Sequence, residues 1–62
     1  MEKDNLILFL IKYGGFSPDA AMDYNNALPN QSIDLANRIK KSILDDKMIS
    51  EEKKAEILEY DF

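Results

Sequence analysis

Twelve carboxylates, eight cations, four serines and three tyrosines are the side chains of this 62-residue chain that could take part in a reaction. Histidine and cysteine are absent, so a nucleophile–base pair would have to join a serine to a lysine or a carboxylate. Ser17, Ser32 and Ser50 stand where helix N-caps are expected, and capping accounts for them. Ser42 falls in mid-helix beside Lys41, on a polar face. The neighbours Asp45-Asp46 and Glu51-Glu52 fit solubility and the charging of helix ends. General acid–base work also needs a pocket, for which so short a chain has little room. The expectation is a protein that is not an enzyme.

Bound groups fare the same way. Without histidine and cysteine, zinc sites built from those ligands are excluded. Asp45-Asp46-Lys47-Met48 has neither the alternating oxygen ligands nor the central glycine of a calcium loop. Gly14-Gly15 lacks the glycine spacing and the following Lys-Ser/Thr of a phosphate cradle. No cofactor is expected.

The elements that must position these residues are helical. The run Leu6-Ile7-Leu8-Phe9-Leu10-Ile11 is the most apolar stretch of the chain, and the rest must be laid against it. Leu and Phe suit a helix over 4–13, Asp4 can cap its start, and Gly14 stands where a left-handed residue would end it. At about 100° per residue, Leu6, Ile7, Phe9, Leu10, Ile11 and Tyr13 share one broad arc. Leu8 falls outside it, beside Asn5 and Lys12, and needs cover from another element or a partner.

A second helix starts with the clearest signal in the chain: Ser17 as N-cap, Pro18 at the first position and Asp19 against the dipole. It runs to about Ala27, with Ala20, Ala21, Tyr24, Ala27 and Leu28 on its apolar side and Met22 pointing away. Pro29 ends it and biases Leu28 toward an extended backbone. Asn30 or Ser32 then caps a third helix reaching about Asp45, striped by Leu35, Ala36, Ile39 and Ile43. After a turn through Lys47-Met48-Ile49, Ser50 caps a short fourth helix whose apolar side is Ala55, Leu58 and Phe62. The alternation of β-strands is missing. The expected fold is all-α: one helical domain over residues 1–62, a compact three-helix bundle with a short fourth C-terminal helix.

Charge narrows the partners. Acidic residues outnumber basic ones, for a formal charge of −4, and an acidic domain repels phosphate backbones unless its cations gather on one face. Arg38, Lys40, Lys41 and Lys47 cluster in and after the third helix without forming a stripe: Arg38 and Lys41 share a side with Asp34 and Asp45. Leu28-Pro29-Asn30-Gln31 is not the tight turn of a helix-turn-helix. A small DNA-binding regulator is therefore the alternative reading, and nucleic acid is not the expected partner. No membrane is expected either, because the apolar run is far too short to span one. Met1-Glu2-Lys3-Asp4 lacks the basic region of a signal peptide, so the expected location is the cytoplasm. Seven lysines to one arginine, with many Ile and Asn, suit an AT-rich coding sequence such as those of low-GC bacteria or their phages.

Two local patterns bear family resemblances. Tyr13-Gly14-Gly15-Phe16, followed by Ala21, Asn30 and Ala36, resembles the ubiquitin-associated (UBA) domains, three-helix modules with a Met-Gly-Phe/Tyr loop after their first helix. The resemblance covers Leu6 to Leu44. It departs in having Tyr13-Gly14-Gly15 for Met-Gly and in the extra C-terminal helix. It implies a recognition domain with Gly15-Phe16 and the end of the third helix as contact surface, without naming ubiquitin as ligand. Asp46-Lys47-Met48-Ile49-Ser50-Glu51-Glu52 is similar to the turn into the last helix of short bacterial C-terminal oligomerisation (SHOCT) modules, minus the glycine usual there.

When the helices are packed on these patterns, Leu8, Met22 and Met48 are left over. A small domain without disulfides or metal relies on well-packed helices or on a partner subunit. The expected function is thus that of a small acidic protein–protein interaction module: a regulator, adaptor or inhibitor that binds another protein or a second copy of itself. Leu8, Tyr13, Gly15, Phe16, Met22 and Met48 are the candidate partner-binding residues.

Overall fold

The computed structural model describes the backbone of residues 3–62 and the side chains from residue 5 onward. Four helices follow one another: α1 Lys3–Gly14, α2 Pro18–Ala27, α3 Pro29–Asp45 and α4 Glu51–Leu58. The first three pack pairwise against one another, and α4 packs on α3. The architecture is all-α, a three-helix bundle with a short C-terminal helix.

α1 is the centre of the molecule. Leu6, Phe9 and Leu10 are buried, and Ile7, Ile11 and Tyr13 pack half-buried around them. Ala21 of α2, Ala36 of α3 and Ile57 of α4 complete the buried cluster. Alanine at both middle positions lets α2 and α3 approach the large side chains of α1 closely. Since α1 already includes Lys3, Asp4 lies within the helix instead of capping it, and its side chain is outside the described ones.

The end of α1 corrects one expectation. Gly14 remains helical, and the left-handed residue is Gly15, with φ +74°. Across this turn the Phe16 amide donates to the Leu10 carbonyl at 3.2 Å. Gly14 serves close packing instead: a Cβ there would lie 3.1 Å from Phe16 Cδ1 and 3.5 Å from Ile39 Cδ1. At Gly15 a Cβ would meet nothing within 4 Å, so substitution strains only the backbone. Gly15→Ala should therefore lower stability by about 1 kcal/mol, read as a lower denaturation midpoint in urea at unchanged slope. An unchanged midpoint would show that this turn relaxes without penalty.

Ser17 caps α2 as its sequence indicates, accepting from the Ala20 amide, and Ser50 caps α4 by accepting from Lys53. Neither Asn30 nor Ser32 caps α3. Leu28 alone separates α2 from α3: its amide donates to the Tyr24 carbonyl and its carbonyl accepts from the Ser32 amide. Pro29 occupies the first turn of α3, where a missing N–H loses no helical bond. Ser32 is buried and donates its hydroxyl to Asn25 Oδ1 at 2.8 Å. This pair ties α3 to α2 and meets the rule that buried polar groups are partnered.

The inward faces of α2 and α4 also differ from expectation. On α2 the buried residues are Ala21 and Asn25, whereas Ala20, Ala27 and Leu28 are exposed. On α4, Ile57 is buried, while Ala55 and Leu58 face outward. α4 is rotated about one residue from its expected phase because the chain beyond it anchors it: the rings of Tyr60 and Phe62 lie 5.6 and 5.0 Å from that of Phe9.

Candidate functional site

α4 and the residues after it lie beside α1, and the contact is polar at its edge and aromatic at its heart. Lys12 Nζ donates to Glu56 Oε1, which also accepts from the Tyr13 hydroxyl at 3.2 Å. The Tyr13 ring packs on those of Phe9 and Tyr60, at 5.0 and 5.7 Å. On the α3 side, Lys40 Nζ donates to the Tyr60 carbonyl at 2.8 Å and lies over the Phe62 ring.

The bonds from Lys12 hold the Glu56 carboxyl below the usual carboxylate range, and Glu56 in turn raises Lys12. Burial pushes the Tyr13 hydroxyl up, reinforced by the Glu56 charge. The signs fix a pH window. A depressed carboxyl stabilises the fold above its unfolded pKa, ordinarily 4.5, and that contribution disappears as pH falls through the folded value. The raised Lys12 and Tyr13 contribute below their ordinary values of 10.5 and 10.0 and lose this as pH rises. The Lys12–Glu56 pair should thus hold α4 across the neutral range and release it at both extremes. Its exposure keeps the effect small. Glu56→Gln should flatten the acid limb of a melting-temperature series; an unaltered acid limb would place the titration elsewhere.

Between α1 and α4 runs a groove of about 350 Å³ lined by Asn5, Leu8, Lys12, Glu56, Glu59 and Tyr60. Leu8 remains 52% exposed there: α4 reaches its side of the bundle without closing over it. Of the six candidate residues, Leu8 alone lines this groove. Met22, on α2, is 48% exposed. Met48, in the α3–α4 turn, is 92% exposed, and its amide donates to Asp46 Oδ1 at 2.8 Å, an Asx-type turn that fixes the loop. Gly15 is exposed in the α1–α2 turn. Tyr13 and Phe16 are half-buried and engaged internally, Phe16 by stacking on Tyr24 at 5.6 Å.

Leu28 and Leu58 are also exposed, although their pattern assigns both to apolar faces. For Leu28 the signal was the adjoining Pro29, which turns the chain at that point. For Leu58 it was the aromatic pair downstream, which outweighs one leucine in setting the phase of a short helix.

Arg38 pairs with Asp34 at 3.2 Å one turn away, so of the α3 cations Arg38 and Lys40 are met from within the chain while Lys41 is exposed. No protein-family model matches the chain, and neither a curated protein nor a solved structure is significantly similar to it. The resemblances to UBA and SHOCT modules thus rest on the quoted residues alone. No helix among the described residues is long and apolar enough to cross a membrane.

Proposed function

We propose that this chain is a small acidic, non-enzymatic protein–protein interaction module, a cytoplasmic regulator, adaptor or inhibitor. The observation that carries the reading is Leu8. It sits in the middle of the most apolar helix, flanks a groove and stays half-exposed with every other described element in place. Exposed Met22 and Met48 add flexible, polarisable contact surface of the kind adaptable interfaces use. The serines offer little to catalysis: Ser17 and Ser50 accept cap bonds, and Ser32 is bonded to Asn25. The net charge of −4 weighs against nucleic acid, and three of the eight cations, Lys12, Arg38 and Lys40, are bonded to partners in the chain.

The test is affinity capture with wild-type chain and Leu8→Lys as baits, together with light scattering over a dilution series to separate self-association from a different partner. Leu8→Lys should lose the captured protein, or the dimer, and keep the wild-type helical circular dichroism. A Leu8→Lys chain that unfolds would make Leu8 ordinary core. Undiminished capture by Leu8→Lys, Met22→Lys and Met48→Lys alike would remove the reading's surface.

A further inference from the structure

We infer that the α1–α4 groove takes a basic amphipathic helix of a partner protein, with an apolar side chain against Leu8 and Tyr60 and a cation against Glu59. The inference rests on the interaction reading above and names the surface and the chemistry of its occupant. Three observations lead to it.

The first is the distribution of charge. Residues 1–44 hold five acidic and five basic side chains, whereas residues 45–62 hold seven acidic and three basic ones. The whole net charge of −4 therefore lies in residues 45–62, of which Glu56, Glu59 and Tyr60 line one side of the groove. Of the three lysines there, Lys53 lies over the Tyr13 ring at 5.5 Å.

The second is the groove's own make-up. Among the described residues, its apolar contributors are Leu8 and Tyr60, and the cation lining it, Lys12, is bonded to Glu56. Glu59 adds an exposed carboxylate to the lining. A half-exposed leucine beside an exposed carboxylate complements a side-chain pair of aliphatic residue and Lys or Arg.

The third is geometry. The described residues offer no strand edge, and a groove walled by helices accommodates a helix laid along it. α4 has eight residues and is about 12 Å long, which matches roughly two turns of an occupant.

Charge also selects against the other occupants. Nucleic acid and anionic lipid would bring phosphate to an acidic wall. A second copy would set the acidic residues 45–62 of one chain against those of the other, and of its α3 cations Arg38 and Lys40 are already held by Asp34 and Tyr60, which leaves Lys41 exposed.

The experiment titrates the labelled 62-residue chain with a synthetic amphipathic helix of leucine and lysine, followed by amide chemical shifts. Two controls accompany it: a lysine/serine peptide of equal charge and a leucine/glutamate peptide. The expected result is movement of Asn5, Leu8, Lys12 and Glu56–Tyr60 with the leucine/lysine peptide alone, weakening as salt rises. Leu8→Asn, which preserves charge, should weaken binding by about tenfold or more. Glu59→Lys, at an exposed position, should shift preference toward the leucine/glutamate peptide and keeps the test decisive if Leu8→Asn misfolds. Equal binding of the lysine/serine peptide, shifts centred on Met22 or Met48, or self-association lost in Leu8→Asn would each overturn the inference. Partner capture that survives Leu8→Lys but fails with Met22→Lys or Met48→Lys would overturn it too, while leaving the interaction reading standing.

Discussion

Phe9→Ala should lower the stability of this protein by about 3–5 kcal/mol, the range for removing a fully buried phenylalanine. Phe9 has no exposed surface, and its ring is met by Tyr13, Tyr60 and Phe62 at 5.0, 5.6 and 5.0 Å. All four rings lie outside α2 and α3, two in α1 and two after α4, so the loss falls on the join between α1 and the C-terminal segment. A domain of this size has a total stability of about 3–9 kcal/mol. The variant should therefore be largely unfolded, or should keep α1–α3 only loosely, at room temperature. Urea denaturation followed by circular dichroism gives the magnitude. Loss of the Lys53-to-Tyr60 amide shifts before those of α2 would show that α4 is released first. A variant melting near the wild-type temperature would mean that Tyr60 and Phe62 fill the space, and that the aromatic cluster is not what holds α4.

Leu10→Ala should cost about 2–5 kcal/mol, but through a different part of the molecule. Leu10 is fully buried in one cluster with Ala21 and Ala36, the two small residues that bring α2 and α3 onto α1. Its carbonyl also accepts the Phe16 amide that closes the α1–α2 turn. Removing three carbons there leaves a cavity that alanine neighbours cannot fill, because they have no rotamers to swing into it. The loss should appear uniformly in α1, α2 and α3, with no early release of α4. A cooperative transition near the wild-type midpoint would mean that α1 is peripheral, contrary to its burial. The contrast with Phe9→Ala separates the bundle from its C-terminal attachment.

Much of this arrangement is legible in the residues themselves. The class, the four helices and most of their ends follow from local chemistry: Ser17-Pro18, Pro29 and Ser50-Glu51-Glu52 act within one turn of where they stand. The broad arc of α1 is legible too. The same 100° step that buries Leu6, Phe9 and Leu10 sets Asn5, Leu8 and Lys12 together, and those three line the groove. α1 is long and strongly patterned, so its phase is over-determined.

The tertiary structure decided what had no local signal. Gly14 and Gly15 are equally able to take positive φ; the fold gives it to Gly15 and keeps Gly14 helical against the Phe16 ring, where a Cβ would lie 3.1 Å from Cδ1. Ser32 reads as a cap, yet it is buried with Asn25 seven residues away in sequence, since a buried hydroxyl needs a partner that only packing supplies. α4 has too few apolar residues to fix its own phase. Its rotation was set by Tyr60 and Phe62 reaching Phe9 across the fold, and that rotation leaves Leu8 in an open groove with an acidic wall.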